Sequence, residues 1–294
     1  MSLVNRVLSA VAVAAVAAAP AFAQTERSVY ATVLDKSGAP ATSLTAKDFV
    51  VREDGIQREV LRAVRADEPM QIAVLVDTSQ AVERYVNDLR RAVTRFVREM
   101  APEHELALIG FGERSTLITD FTHDVARLEA GIGRLFARQG SGAYALDAII
   151  DAAKSLRMRE GARREIVVIS TEGPEFSERY YQTVLDEVRN AATLHSFILT
   201  RSGRSVPLDE ARRQRELTFA EGASETGGRR EHLLTSLALD DRLHGLAVEL
   251  KNQYRVDYSR PATLVPPEKI DVDVRQAGLT VRAPRVPPAV RTSS

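Results

Sequence analysis

Residues 70–79, MQIAVLVDTS, decide the fold predicted for this chain. Every residue from 72 to 76 is apolar, which is typical of a strand that is covered on both faces of a sheet. Asp77, Thr78 and Ser79 follow at the point where this strand leaves the sheet. Ligands of open α/β sheets bind at such carboxyl ends, so this segment is the first candidate for a functional site.

The segments after this strand alternate between strand and helix patterns. Strands are predicted over 71–76, 105–110, 115–121, 164–170 and 194–200, and helices over 81–100, 124–136, 144–157, 179–192 and 240–252. Residues 209–219 are a possible surface helix in a polar stretch. The alternation predicts an α/β fold with a Rossmann-like, doubly wound and mostly parallel sheet.

Both ends of the chain have β character instead. Strands are predicted over 28–34, 48–53 and 57–64 near the start, and over 254–258, 270–274 and 279–281 near the end. The predicted organisation is an N-terminal β-rich segment (24–66), an α/β domain (67–258) and a C-terminal β segment (259–283) that packs with the first. Residues 284–294, with three prolines and two closing serines, are predicted to be disordered.

Residues 1–23 have the pattern of a secretory signal peptide. Arg6 precedes an apolar run over 7–19, and Ala21-Phe22-Ala23 provides a small-x-small cleavage site. We expect cleavage after Ala23 and a periplasmic or secreted mature protein. The run is short for a bilayer span, although an uncleaved N-terminal anchor is the alternative. No stable membrane span is expected after cleavage.

Composition limits the partners and the chemistry. Lys plus Arg and Asp plus Glu both number 40, so no overall charge favours nucleic acid or an anionic membrane. The chain has no cysteine, which removes disulfides, thiolate nucleophiles and cysteine zinc sites. The five histidines lack metal-ligand spacing, and no G-x-S-x-G nucleophile elbow occurs.

Three polar turns resemble the ligand loops of von Willebrand factor A-type domains. They are Asp77-Thr78-Ser79, Gly140-Ser141-Gly142 before a helix with Asp147-Ala148, and Ser170-Thr171-Glu172-Gly173. VYATVLDKSGAPATSLTAKDFVVRE (29–53), ETGGR (225–229) and ELKNQY (249–254) are similar to the bacterial exported VWFA-related domain proteins. This resemblance extends from about residue 29 to about residue 281 and implies a von Willebrand factor A-like fold.

The resemblance also implies a metal-ion-dependent adhesion site, from which this sequence departs. The family's first loop reads Asp-x-Ser-x-Ser, and Asp77 and Ser79 match it, but Ala81 stands at the second serine. Ala143 stands at the threonine of the second loop, and Glu172 at the aspartate of the third. Because Mg²⁺ needs several fixed oxygens, we expect at most a vestigial, weak Mg²⁺ site at Asp77, Ser79 and Glu172 and no other cofactor.

The sequence leaves several functions open. The first is a non-enzymatic module that binds an unidentified protein partner through a loop rim containing Asp77, Thr78, Ser79, Gly142, Ala143 and Glu172. In that case Asp77 and Ser79 are expected to cap the helix after them. The alternatives are an Mg²⁺-dependent adhesin and a phosphohydrolase with Asp77 as nucleophile, although Ser79 stands where such enzymes have a second acid.

Overall fold

The computed structural model describes residues 24–161, 163–200, 209–262 and 264–286, which form two six-stranded sheets with helices around one of them. The strands are β1 (Gln24–Leu34), β2 (Phe49–Glu53), β3 (Ile56–Arg65), β4 (Met70–Val76), β5 (Glu105–Phe111), β6 (Ser115–Thr122), β7 (Arg163–Thr171), β8 (Thr193–Leu199), β9 (Arg230–Leu233), β10 (Tyr254–Pro261), β11 (Ile270–Val274) and β12 (Thr280–Arg282). The α-helices are α1 (Val86–Met100), α2 (Val125–Gly133), α3 (Ala145–Arg157), α4 (Tyr181–Arg189), α5 (Glu210–Thr226) and α6 (Ala238–Lys251), with short 3-10 helices at Ala46–Asp48 and Gln80–Tyr85.

The first sheet is the predicted doubly wound sheet. Its strand order is β6-β5-β4-β7-β8-β9, and all neighbours are parallel except the edge pair β5 and β6. The chain passes from β4 to β5 on one side and later adds β7 on the other side. The carboxyl end of β4 is therefore the point where the strand order reverses, which is where such sheets bind ligands.

β4 is buried on both faces, as the apolar run predicts. Ile72, Val74 and Val76 pack in a core cluster with α1, α2 and α6. Ala73 and Leu75 pack in a second cluster with α3, α4 and α5. Each fully buried aliphatic side chain contributes about 1.5–3 kcal/mol, so the two clusters hold the central strand rigidly in place.

The second sheet joins the two ends of the chain, as predicted. Its order is β11-β2-β3-β10-β1-β12, and its paired strands are antiparallel. The strand Tyr254–Pro261 lies at its centre, between β3 and β1. The predicted end of the α/β domain at residue 258 is therefore too late, because the chain enters the second sheet directly after α6.

The predicted start of the disordered tail at residue 284 is also wrong. Arg285 donates its backbone N–H to the carbonyl oxygen of Glu225 at 2.7 Å, and its own carbonyl oxygen accepts from Ile270 N–H at 2.7 Å. These bonds fix the chain as far as Val286. The signal segment 1–23 and the rest of the tail lie outside the described residues.

Helix α5 differs most from its prediction, since it extends to Thr226 and is not a surface helix. Its buried residues are Gln214, Arg215, Thr218, Phe219, Gly222, Ala223 and Thr226. The helix ends at Gly227, whose left-handed backbone (φ 76°) favours glycine. A methyl group at Gly227 would also lie 2.5 Å from the carbonyl carbon of Ala283, so the glycine lets the second sheet approach closely.

Two further differences have local causes. The predicted helix over 81–100 begins with the 3-10 helix Gln80–Tyr85 and becomes α-helical only at Val86. Strand β9 was not predicted, because its four residues, REHL, are mostly polar or charged and have no apolar alternation. Among the described residues, no helix is both long enough and apolar enough to cross a bilayer.

Candidate functional site

The first and third of the three polar turns meet at the carboxylate of Asp77. Thr171, the last residue of β7, donates to Asp77 Oδ2 from its backbone N–H at 3.0 Å and from its hydroxyl group at 2.7 Å. The backbone N–H of Ser79 donates to Asp77 Oδ1 at 2.8 Å. Both carboxylate oxygens are therefore bound by groups of the protein itself, and Asp77 is 1% exposed.

Backbone hydrogen bonds bring the second turn to the other two. Arg138 N–H donates to the Thr78 carbonyl oxygen at 3.0 Å, which joins the second turn to the first. Ala143 N–H donates to the Pro174 carbonyl oxygen at 2.8 Å, and Phe176 N–H donates to the Ala143 carbonyl oxygen at 2.7 Å. We call the three segments 77–81, 138–144 and 171–177 the rim.

The rim contains every predicted site residue, but in two different environments. Asp77, Thr78, Ser79, Gly142 and Ala143 are buried. Glu172 is exposed, and its backbone N–H donates to the Leu199 carbonyl oxygen at 3.4 Å. The three turns converge, as the topology predicts. Because Asp77 is buried, it does not contribute to the surface that the turns share.

The capping role expected for Asp77 and Ser79 is wrong. Ser79 is the N-cap residue of the 3-10 helix Gln80–Tyr85, but its side chain makes no capping hydrogen bond. The Asp77 carboxylate instead binds Thr171 and the backbone of Ser79, because β7 lies beside β4 and brings Thr171 within reach.

The residues of the rim do not fit the magnesium site that the family resemblance implies. Mg²⁺ needs near-octahedral oxygen coordination, while Ala81 and Ala143 provide no side-chain oxygen. The hydroxyl groups of Ser141 and Thr171 bind elsewhere, since Ser141 Oγ donates to the Arg138 carbonyl oxygen at 2.9 Å and Thr171 donates to Asp77. Ser79 Oγ is buried without a hydrogen-bond partner, which leaves one polar atom where the family has a ligand.

A buried ion pair, not predicted from the sequence, joins Glu175 of the third rim segment to Arg215 of α5. Glu175 Oε1 accepts hydrogen bonds from the backbone N–H groups of Ala145 and Ser177, both at 3.1 Å. Arg215 Nη1 lies 3.6 Å from Glu175 Oε2 and donates to the Gly173 carbonyl oxygen at 3.1 Å. Glu175 and Arg215 are 3% and 1% exposed, so this pair connects the third rim segment to α3 and α5 in a water-poor setting.

Burial dominates the acid–base behaviour of Glu175. Desolvation raises the pKa of this carboxyl group to about 7, and the nearby Asp77 charge adds to the rise. The Ser177 hydrogen bonds and the Arg215 charge lower the pKa but do not offset burial. Near neutral pH this carboxyl group is therefore divided between its neutral and charged forms.

A sequence signal for Arg215 existed. The residues at 215, 218, 219, 222, 223 and 226 follow the i, i+3, i+4, i+7 spacing of a buried helix face. Arg215 stands at the first position of that face, within a charged run that is typical of a solvated helix. The apolar spacing over the whole of residues 215–226 would have predicted that Arg215 is buried. Nothing in the linear sequence predicts its pairing with Glu175.

The exposed side of the rim includes one large apolar side chain, that of Phe176. Phe176 is 50% exposed, and its ring lies over Gly142, where a methyl group would come within 2.6 Å of it. The ring also packs edge-on against Tyr144, with centroids 6.1 Å apart. Further exposed apolar side chains at this end of the sheet are Leu117, Phe136, Tyr180, Leu234 and Leu237.

The geometry does not present Asp77 as a nucleophile. Asp77, the nucleophile of the phosphohydrolase alternative, is buried with both oxygens hydrogen-bonded. His195 Nε2 lies 3.0 Å from Glu165 Oε2 and its Nδ1 accepts from Arg229 N–H, but this buried pair lies in the sheet, away from the rim. Within the described residues, no three His, Asp or Glu side chains are grouped to hold a metal ion.

Comparison with known proteins agrees with this architecture. Residues 72–173 match the family model described as the von Willebrand factor type A domain. The solved structure of a von Willebrand factor type A protein from Catenulispora acidiphila has a TM-score of 0.52, with 10% identity over 88% of this chain and 72% of that one. Residues 72–173 are therefore similar to von Willebrand factor type A domains, and the first sheet has their fold, which confirms the predicted resemblance.

Two other solved structures are similar at lower scores. BatB from Bacteroides thetaiotaomicron has a TM-score of 0.48, with 13% identity over 62% of this chain and all of that one. The PilB minor pilin from Streptococcus sanguinis has a TM-score of 0.48, with 11% identity over 64% of this chain and 62% of that one. A search of curated proteins found no match.

Proposed function

We propose that the mature chain is an exported, non-enzymatic module that binds a protein partner through the rim without strong metal binding. The von Willebrand factor A-type fold is consistent with a protein-interaction module. The observation that carries the proposal is the composition of the rim. Both oxygens of its buried acid, Asp77, already accept hydrogen bonds from the protein, and its surface presents a half-exposed aromatic ring, that of Phe176.

Phe176 has the properties of a binding anchor. Its backbone is fixed by the hydrogen bond to Ala143, and its ring is supported by Gly142 and Tyr144. A partner that covers this ring gains the burial of apolar area and pays little ordering entropy, because the side chain is already positioned. Export rests on the signal pattern of residues 1–23, which favours a periplasmic or secreted location.

Partner capture tests the proposal. The mature chain is immobilised, exposed to the native envelope fraction, and compared with the variants Phe176→Ser and Phe136→Ser. The matched control is Met158→Ser, which removes another highly exposed apolar side chain, after α3 and at the opposite end of the sheet. We expect the native chain and the control to retain one partner, and the Phe176→Ser and Phe136→Ser chains each to retain at least tenfold less of it. Retention by all four chains would contradict the proposal.

A second experiment with Mg²⁺ separates this proposal from the alternative of an Mg²⁺-dependent adhesin. The observation that favours this alternative is the Ser79 hydroxyl group, which has no hydrogen-bond partner. A cation at 100 times its dissociation constant would stabilise the folded chain by about 2.7 kcal/mol. We expect no change in the melting temperature on adding Mg²⁺ and no effect of EDTA on capture. A shift that EDTA reverses and Asp77→Ala abolishes would establish the adhesin instead.

A further inference from the structure

A small cavity lies beside the rim, between Thr78, the edge strand β6 and the segment after α2. Its volume is about 250 Å³. The residues that line it are Thr78, Gly110, Thr116, Leu117, Ile118, Arg134, Phe136 and Arg138. Small-molecule sites usually enclose about 300–1,000 Å³, so this cavity has room for one partner side chain rather than for a cofactor.

The lining of the cavity includes three large apolar side chains, those of Leu117, Ile118 and Phe136, and two of them are accessible. Leu117 is 57% exposed and Phe136 is 54% exposed, so a ligand can contact both without rearrangement. Gly110 keeps the floor low, because a methyl group there would lie 3.2 Å from both Ile118 Cδ1 and Thr78 Cγ2. An aromatic or branched aliphatic side chain seated here would be removed from water on several sides.

The charge at the cavity is one-sided, since its lining includes two arginines and no acid. Arg138 has its guanidinium carbon 5.4 Å from the Phe136 ring centroid, and its nearest acid, Glu113, is 3.6 Å away and largely exposed. Arg134 donates one N–H to the Ile118 carbonyl oxygen at 2.6 Å, out of the five that a guanidinium carries. Donors therefore remain at the mouth of the cavity for an anionic group.

We propose that this cavity binds a short acidic segment of the protein partner, with an apolar side chain inside and a neighbouring carboxylate held by Arg134 and Arg138. The inference rests on the proposed function and names the partner chemistry at the same end of the sheet. Arginine suits this role because its planar fork can bind a carboxylate through two hydrogen bonds. The carboxylate beside the apolar side chain fixes the orientation of the bound segment, and the apolar side chain provides most of the buried area.

The test uses defined peptides on the mature chain. The probes are acetyl-GDFDG-amide, its isosteric neutral analogue acetyl-GNFNG-amide and the basic analogue acetyl-GKFKG-amide, each titrated into ¹⁵N-labelled protein at low salt. We expect the acidic peptide to shift the amide resonances of Thr78, Gly110, Leu117 and Ile118. We expect its dissociation constant to be at least tenfold lower than those of the other two peptides, which is the effect of one charge-assisted hydrogen bond.

The variants locate the charge contribution. Arg134→Gln and Arg138→Gln should each weaken the acidic peptide about tenfold, while Arg98→Gln, an exposed arginine near the end of α1, should not. The same spectra report whether each variant is folded. Equal binding of all three peptides, no shift at the cavity, or no effect of either Arg134→Gln or Arg138→Gln would overturn the inference.

Two outcomes separate this inference from the proposed function. If partner capture depends on Phe176 but not on Arg134 or Arg138, the rim remains the binding surface and the acidic-segment inference fails. If the chain dimerises with rising concentration and Phe136→Ser abolishes the dimer, a second copy covers the cavity, and the inference also fails. Loss of capture with the arginine variants, together with acidic-peptide binding, supports both.

Discussion

At the scale of single residues, the carboxyl group of Glu175 couples the rim to pH. An acid with a raised pKa binds its proton more tightly in the folded chain than in the unfolded chain. The stability that this proton contributes is therefore fully present below about pH 4.5, the ordinary pKa of glutamic acid, and is lost as the pH rises to about 7. The cost of burying this carboxyl group therefore grows through this window and is fully present above about pH 7.

Glu175→Gln should remove this dependence. The amide oxygen can still accept from Ala145 and Ser177, but it carries no proton to release. We expect the unfolding free energy of the native chain, relative to the variant, to fall by about 3 kcal/mol between pH 4.5 and pH 8. Urea denaturation at several pH values measures this difference. Parallel curves for the two chains would show that Glu175 titrates normally.

The buried residues of the site also show where sequence reasoning stops. Asp77, Thr78 and Ser79 could be placed at the rim because they follow an apolar strand, and parallel strands end at one edge of a sheet. The partners of Asp77 could not be predicted, since the choice of Thr171 over a metal depends on distances between separate loops. Glu175 and Arg215 are 40 residues apart, so only the folded chain pairs them.

At the scale of elements, the segment 174–176 fastens the third rim turn to the second. It pairs with Ala143 like a short parallel strand, through the hydrogen bonds of Pro174 and Phe176. Gly142 is the residue that makes this approach possible, because the Phe176 ring lies where a side chain would begin. The conformation of the rim therefore depends on one glycine that precedes α3.

Gly142→Ala should displace the Phe176 ring. The new methyl group would lie 2.6 Å from the ring, and such overpacking costs typically about 1–3 kcal/mol. We expect a loss of stability in this range by chemical denaturation. The double variant Gly142→Ala with Phe176→Ala should cost less than the sum of the two single changes, since the clash is then absent.

Gly133→Ala is the matched control for this prediction. Gly133 ends α2, and a methyl group there would meet no atom within 4 Å. The substitution should be neutral or stabilising by about 0.5–1 kcal/mol, because it restricts the unfolded chain. Additive costs at Gly142 and Phe176 would mean that the ring can leave the rim freely.

Helices and strands with a long, regular apolar pattern could be predicted from the sequence, and those without one could not. Helix α1 and strand β4 have long, regular apolar patterns and lie within a few residues of their predicted bounds, apart from the 3-10 turn before α1. β9 has no such pattern, and its strand conformation comes from pairing with β8. For α5, the charged run around Arg215 concealed a buried face whose partners come from other elements.

At the scale of the whole molecule, Arg163 joins the two sheets. It begins β7 in the von Willebrand factor A-type domain and is 3% exposed. Its Nη1 donates to the Glu68 carbonyl oxygen at 3.0 Å, and its Nη2 donates to the Leu250 carbonyl oxygen at 2.6 Å and to Gln253 Oε1 at 2.9 Å. The guanidinium also lies 5.6 Å from the ring centroid of Tyr30 in β1.

These contacts are placed where the chain crosses between the sheets. Residues 66–69 lead from β3 into β4, and residues 252–253 lead from α6 into β10, so both crossings pass the same guanidinium. Substitution leaves three oxygen acceptors without this donor, and the two buried ones, the Leu250 carbonyl oxygen and Gln253 Oε1, each cost about 1–3 kcal/mol before water or rearrangement compensates. We therefore expect substitution of Arg163 to destabilise the crossing segments 66–69 and 252–253 rather than the core of either sheet.

Arg163→Met should loosen the second sheet before the first. The methionine keeps an apolar stem but donates no hydrogen bond, so the amides of β1 and β10 should lose hydrogen-exchange protection while those of β4 and β7 retain it. Arg164→Met is the control, since Arg164 is the next residue and its Nη2 donates to Arg159 within the same domain. Equal loss of protection in all four strands would mean that the two sheets unfold as one unit and that Arg163 stabilises both. The amides of β1 and β10 could also be as well protected from hydrogen exchange in Arg163→Met as in Arg164→Met. That result would mean that the chain segments crossing between the sheets, not this guanidinium, hold the sheets together.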